Sequence, residues 1–257
     1  MLYADLFVGA LNRMGYDALN LGERELFGGM DLVKRMKDMA DFPLISSNVS
    51  SKDPLWKPYV IKGVNPVRVA ILGIVSPRFD PNNSAVSIQP PQVSLKALMA
   101  HLSDKADIFV LLSYTGLKET LDLIKEVPGL DIAIIGHVKI PLEGKRVGKT
   151  LVISPGNKGE CVGVVHVTWD PQKKKIVKMD HNICPLGDDI ESDSDIFELV
   201  RAFNLEVDKL RAEEYRWKKK EQEAQVRALI ERSRNMKPEE FIKFYREEMK
   251  KRKAVQQ

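Results

Sequence analysis

Polar side chains that could hold a metal ion or a phosphate group follow three predicted strands. They lie in the segments "NLGERE", "LLSYTGL" and "IIGHVK". In chain order they are Glu23, Arg24, Glu25, Ser113, Tyr114, Thr115, His137 and Lys139. In layered α/β folds, ligands bind beyond the carboxyl ends of strands. These residues therefore form the candidate site, and its least expected feature is the consecutive glutamate, arginine and glutamate.

The elements that must position these residues alternate along the chain. Apolar runs predict strands at Ala18–Leu21, Pro43–Val49, Val67–Val75, Asp107–Ser113, Asp131–His137, Thr150–Ser154, Val162–Asp170 and Lys174–Asp180. Helical periodicity predicts helices at 2–14, Met30–Met39, "SLKALMAHLS" and "LKETLDLIKEV". Strands that alternate with helices indicate an α/β fold.

Composition narrows the class of protein. The 257 residues are 44% hydrophobic and 30% charged, which predicts a globular chain with a proper core. Residues 211–257 hold 15 Lys or Arg and 9 Asp or Glu, so the net charge of +4 is concentrated there. No stretch is apolar enough to span a membrane, and the first residues lack the basic segment of a signal peptide.

The cysteines Cys161 and Cys184 have neither CxxC spacing nor zinc-site spacing. We therefore interpret them as ordinary thiols, although a single disulfide between them is compatible with the sequence.

The C-terminal segment predicts long helices with mixed charge. Ile196, Val200, Phe203, Val207 and Leu210 repeat at steps of four and three, which is a heptad-like apolar seam. The Ile196–Leu210 seam could contact a protein partner or a second copy of the chain. Nucleic-acid binding is disfavoured because neither sign of charge dominates one face.

Six segments, in order, resemble the 5′-nucleotidase family of the calcineurin-like metallophosphoesterases. They are "MGYDALNLGEREL", "FPLISSNV", "PYVIKGVNPVRVAILGIVSP", "ADIFVLLSYTGL", "VPGLDIAIIGHVK" and "LVISPGNKGECVGVVHVTWD". The similarity extends over about Met14–Asp195. It implies a sandwich of two sheets flanked by helices, with residues 1–192 forming a partial domain that is incomplete at the N-terminus. Residues 193–257 would then be a charged helical extension.

The resemblance also implies a chemistry and a cofactor. Members of this family hydrolyse phosphate esters with two divalent ions, such as Mn, Zn, Fe, Ni or Co, which activate a water molecule. The family's opening motifs D–x–H and G–D are expected before Gly15, where residues 1–14 contain neither, and no D–x–H occurs elsewhere in the sequence. The family's members are often exported, whereas the location of this chain is left open.

Carrying the family's site over residue by residue gives an incomplete set of metal ligands. The asparagine ligand falls on Glu23 and the catalytic histidine on Arg24, which cannot donate a proton at neutral pH. The histidine of the L–S–H block falls on Tyr114. The first histidine of the G–H–x–H block is kept as His137, and the last becomes Lys139, whose ammonium group repels cations.

Four interpretations of this site remain open. Arg24 and Lys139 could pair with Glu23 and Glu25, or the glutamates and Arg24 could form an ordinary solvated turn. Arg24 and Lys139 could instead bind an anion, with help from Tyr114. A metal site would have to use His137 and Glu23.

The leading functional hypothesis is a degenerate phosphoesterase-like protein without phosphatase activity as this chain, without bound metal, that serves as a binding or structural module. One alternative is an active metal-dependent phosphoesterase whose N-terminal metal-binding segment is missing from this chain. The other is an interaction protein that works through its basic helical tail.

Overall fold

The computed structural model describes residues 2–79, 86–234 and 236–255. The chain divides into two units, Met1–Leu199 and Val200–Gln257. The first unit contains every strand found in these described ranges, and the candidate site.

A six-stranded sheet is the centre of the first unit, in the order β4-β5-β7-β8-β10-β9. Its strands are β4 (Tyr59–Val64), β5 (Val67–Val75), β7 (Ile108–Tyr114), β8 (Ile132–Ile135), β9 (Leu142–Val147) and β10 (Thr150–Ser154). The four inner strands are parallel, and both edge strands run antiparallel to their neighbours. The parallel order places the carboxyl ends of β5, β7, β8 and β10 side by side, and we call this side of the sheet its carboxyl edge.

Two helices, α4 (Pro91–Leu102) and α5 (Leu117–Glu126), pack on this sheet. The main core joins apolar side chains of the inner strands to Leu95, Leu102, Leu123 and Ile124 of these helices. Since the inner strands are covered by protein on both faces, their sequences are continuous apolar runs.

A second apolar cluster forms under the N-terminal elements. These are α1 (Leu2–Arg13), β1 (Leu19–Asn20), α2 (Glu23–Phe27), α3 (Met30–Met39), β2 (Leu44–Ile45), β3 (Val49–Ser51) and β6 (Val86–Ile88). β1 pairs with β2 in parallel, and β3 pairs with β6 in antiparallel fashion. The buried side chains Val8, Leu21, Leu26 and Val33 belong to this cluster. The mixed α/β architecture predicted from the sequence is thus confirmed.

A hairpin of β11 (Cys161–Asp170) and β12 (Lys175–Pro185) follows the sheet. Cys161 pairs with Pro185 and Cys184 pairs with Val162, so the two cysteine side chains leave opposite faces of the hairpin. Both thiols are free, as predicted.

The C-terminal helices are α6 (Ser194–Arg234) and α7 (Pro238–Val255). No described residue of α6 is buried, and Val200 and Leu210 of the predicted seam are 38% and 45% exposed. A role of the Ile196–Leu210 seam in partner binding stays a prediction. Among the described residues, no helix combines the length and apolarity that crossing a membrane requires.

Two local predictions were wrong. The predicted strand Pro43–Val49 is broken into β2 and β3. The break occurs because Ser47 forms its hydrogen bonds elsewhere: its amide donates to the carbonyl oxygen of Gly73, and its hydroxyl donates to the carbonyl oxygen of Pro58. Glu23–Glu25 do not form a solvated turn but begin α2.

Candidate functional site

The ends of β7 and β8 bring Tyr114 and His137 into contact. Ser113 of β7 lies opposite Ile135 of β8, and the amide of Gly136 donates to the carbonyl oxygen of Ser113 at 2.8 Å. One residue further along each chain, the Tyr114 hydroxyl lies 3.1 Å from Nδ1 of His137. The two ring centroids are 5.2 Å apart. The backbone of His137 has a φ of 60°, in the left-handed region that few non-glycine residues adopt.

Asn20 joins the third predicted strand end to the same edge. Its side-chain amide donates to the carbonyl oxygens of Ile74 in β5, at 2.9 Å, and Leu112 in β7, at 3.3 Å. Gly22 consequently lies against Tyr114, since a Cβ built on Gly22 would be 3.6 Å from Cζ of the Tyr114 ring. The beginning of α2, Tyr114 and His137 are therefore assembled at one place.

Glu25 is used as a helix cap. The amide of Gly22 donates to Oε2 of Glu25 at 2.9 Å, a contact that a glutamate three residues after the cap position commonly makes. Arg24 is exposed, and so is Lys139 in the loop after β8. Within the described ranges, no salt bridge links Arg24 or Lys139 to Glu23 or Glu25. The expected ion-pair cluster is not formed, because Glu25 faces its own backbone.

The environment of Tyr114 favours the neutral phenol. Burial raises the pKa of Tyr114 above its ordinary value of 10.0, and the negative charges of Glu23 and Glu25 raise it further. Arg24 acts in the opposite direction and lowers this pKa. A neutral phenol keeps its proton and can donate it in a hydrogen bond, either to His137 or to a bound anion.

We expect Tyr114 to ionise at a higher pH than the ordinary tyrosine value of 10.0. An NMR titration of tyrosine labelled with ¹³C at Cζ, assigned with Tyr114→Phe, measures this directly. Glu23→Gln should lower the pKa of Tyr114 and Arg24→Gln should raise it.

Because the folded-state pKa of Tyr114 lies above its unfolded-state value, the free energy of unfolding falls as the pH rises through the alkaline range, and Tyr114→Phe should reduce that fall. Ionisation of Tyr114 at or below the ordinary tyrosine value would contradict this account.

Three hydroxyl groups fix the loop that follows Tyr114. The Ser113 hydroxyl lies 3.0 Å from that of Thr115 and 2.7 Å from that of Thr120, and the Thr120 hydroxyl donates to the carbonyl oxygen of Gly116. Ser113 and Thr115 were predicted site residues, whereas Thr120 was not. Thr120 could have been predicted as a partner of Ser113, because it is a hydroxyl residue on the apolar face of the helix that follows this strand.

A cleft of about 250 Å³ lies beside this loop at the same edge of the sheet. Its lining includes Ser76, Arg78, Thr115, Lys118 and Glu119. Arg78 and Glu119 form a salt bridge at 3.2 Å across it. Thr115 links this cleft to the loop after β7, but Tyr114, His137 and Arg24 are not among its lining residues.

The side chains at this edge do not fit a pair of divalent ions. Over the parts of the chain that the structure describes, no group of three or more His, Cys, Asp and Glu side chains could hold a metal ion. His137, one of the two candidate ligands, has its Nδ1 next to the Tyr114 hydroxyl, and Glu23 is the other. Two divalent ions need more oxygen and imidazole ligands than these two residues supply.

The fold defines a class of protein. The crystal structure of the calcineurin-like phosphoesterase YfkN from Bacillus subtilis superposes with a TM-score of 0.68 and 20% identity, over 80% of this chain and 73% of that chain. The chain therefore has the calcineurin-like phosphoesterase fold. No protein-family model matches the chain.

Sequence relatives make the assignment more specific. An uncharacterised metallophosphoesterase of Bacillus subtilis, YunD, is 31% identical over 180 residues, which are 66% of this chain and 38% of that protein. A 5′-nucleotidase of Vibrio parahaemolyticus is 26% identical over 166 residues, which are 54% of this chain and 29% of that protein. The homologues of the chain are thus metallophosphoesterases and 5′-nucleotidases, and the catalytic-domain family of the 5′-nucleotidases fits the chain. The chain spans well under half the length of these two relatives.

Proposed function

We propose that this chain is a binding module of the 5′-nucleotidase family that recognises an anion at the carboxyl edge of its sheet and does not itself hydrolyse phosphate esters. The observation that carries the proposal is the contact between Tyr114 and His137. It occupies a nitrogen of the one histidine that the family's ligand pattern retains.

The groups around this contact suit anion binding. Tyr114 presents a phenol that favours its neutral, donating form, and Arg24 presents five N–H donors that match a phosphate. Lys139 lies two residues after His137 and adds a further positive charge. Arg24 cannot replace a histidine as a general acid, because its guanidinium group keeps its proton at neutral pH. Arg24 can thus hold a phosphoryl group but cannot take over the proton transfer that the family's histidine performs.

Hydrolysis assays test the proposal. The purified chain should show no turnover of 5′-AMP or bis(p-nitrophenyl) phosphate above a metal-free blank when Mn, Zn, Ni or Co is added. Titration calorimetry with inorganic phosphate should show binding that weakens about tenfold in Arg24→Gln, because a charge-assisted contact is lost. Lys125→Gln, which removes an exposed cation from α5, should leave binding unchanged. Phosphate affinity equal in Arg24→Gln and wild type would contradict the proposed anion site.

The competing function is that of a metal-dependent phosphoesterase, and the kinship with a 5′-nucleotidase favours it. It makes the opposite prediction in the same assay. Metal-stimulated turnover that is lost in His137→Ala, and kept in the matched variant His101→Ala on the exposed face of α4, would establish hydrolysis and reject the binding-module proposal.

A further inference from the structure

A groove of about 580 Å³ lies at the opposite edge of the six-stranded sheet, away from Tyr114 and His137. Asp107, Asp131 and Lys149, which directly precede β7, β8 and β10, line its floor. The β11–β12 hairpin forms the other wall, through Trp169 of β11, Lys174 of the turn and residues 175–179 of β12. Its volume is within the range that small-molecule ligands occupy in proteins.

Positive charge dominates the groove. Five of its lining residues are cations: Arg146, Lys149, Lys174, Lys175 and Lys178. Residues 1–210 as a whole carry a net charge of −2, so this concentration is local. The basic character of the chain was predicted to lie in its C-terminal tail. This patch was not predicted, because its cations come from separate strands and turns.

The two carboxylates of the groove are already engaged. Asp107 accepts from Nη2 and Nε of Arg68, at 3.0 and 3.1 Å, and this pairing lowers the pKa of its carboxyl group. Asp131 is half-buried and accepts from the amide of Phe109 at 2.8 Å. The two carboxylates together carry at most two negative charges, so they do not neutralise the five cations of the groove.

Three of the five cations have no salt bridge within the described ranges, namely Lys149, Lys174 and Lys175. Lys178 is paired with Asp180 at 2.6 Å. Arg146 donates to the carbonyl oxygen of Lys149 at 3.3 Å. Like charges held together in a concave surface attract a multivalent anion, because the concave walls focus their field.

We propose that this groove binds a compact ligand with two or more phosphate groups, either an inorganic polyphosphate or a nucleoside polyphosphate. Lys149, Lys174 and Lys175 provide charge for the phosphates. Trp169 is half-buried at the rim and offers an aromatic face on which a base could stack. The inference is independent of the function proposed for the carboxyl edge.

Binding to the full chain can be measured by titration calorimetry and tryptophan fluorescence, at low salt and with EDTA. Tripolyphosphate, ATP and adenosine are the probes. Tripolyphosphate should bind, and its affinity should fall as salt is raised, since the contacts are ionic. The double variant Lys174→Ala/Lys175→Ala should weaken binding at least about tenfold, which corresponds to the loss of charge-assisted contacts.

Lys173→Ala is the matched control. Lys173 is adjacent in sequence but does not line the groove, and it pairs with Asp170 at 3.7 Å. ATP that binds more tightly than tripolyphosphate, with a fluorescence change lost in Trp169→Phe, would identify the ligand as a nucleoside polyphosphate. Equal affinities would identify the inorganic form. The proposal is overturned if neither polyanion binds below about 1 mM, if the lysine double variant binds normally, or if Arg24→Gln abolishes binding.

Discussion

Replacement of Asn48 by leucine should lower the free energy of unfolding by about 3–5 kcal/mol, which is among the largest effects expected from a single substitution in this chain. Asn48 is only 2% exposed. Its amide donates to the carbonyl oxygens of Val75, at 2.9 Å, and Gln89, at 3.0 Å, and its Oδ1 accepts from the amide of Val75 at 3.0 Å. Leucine has a similar volume but leaves the buried amide and carbonyl of Val75, and the partly buried carbonyl of Gln89, without these partners.

Urea unfolding followed by the fluorescence of Trp56 measures this effect. Trp56 is buried, and its indole N–H donates to the carbonyl oxygen of Val49, the residue after Asn48. Its emission therefore reports on the packing around Asn48. Asn157→Leu is the control, because Asn157 is exposed and its side chain has no hydrogen bond within the described ranges. A change below about 1 kcal/mol in Asn48→Leu would show that water or a shifted backbone replaces the asparagine.

The second large effect is expected for Gly73→Ala in the middle of β5. A Cβ at this position would lie 2.2 Å from Oδ1 of Asn20, far inside contact distance. Asn20 cannot move away cheaply, because its amide holds Ile74 and Leu112 at once. We expect a loss of about 2–4 kcal/mol in the free energy of unfolding, from steric overlap and the loss of these hydrogen bonds.

Gly63→Ala in the neighbouring strand β4 provides a matched control, since a Cβ there meets nothing within 4 Å. The same experiment reports on the site. Displacement of Asn20 should move the beginning of α2 away from Tyr114 and bring the pKa of Tyr114 back toward its ordinary value. If Gly73→Ala and Asn20→Ala destabilise additively in the double variant, the two residues do not compete for one space and the explanation fails.

The inner strands could be predicted from sequence because burial on both faces leaves an almost wholly apolar run, as in Val67–Val75, where only Arg68 is charged. The edge strand β9 was missed for the opposite reason. It carries Glu143, Lys145 and Arg146, and its exposed edge requires no apolar pattern. The break between β2 and β3 depends on hydrogen bonds from Ser47 to residues that are distant in sequence, which periodicity does not reveal.

The candidate site was predictable in its placement and less so in its contacts. Parallel strands require their carboxyl ends to meet, so the meeting of Tyr114 and His137 follows from topology. The capping role of Glu25 has a local signal, a glutamate three residues after Gly22, which the sequence analysis interpreted as a charge for ion pairing. The clamp made by Asn20 joins residues up to 92 positions apart, and only the folded chain shows it.

The opposed directions of Cys161 and Cys184 have a consequence for where the protein can work. Neighbouring thiols on one face of the hairpin would make its covalent structure depend on the redox potential of the compartment. On opposite faces they cannot link to each other without breaking the strand register. The β11–β12 hairpin, and the basic groove wall that it forms, therefore keeps the same covalent connectivity in reducing and in oxidising surroundings.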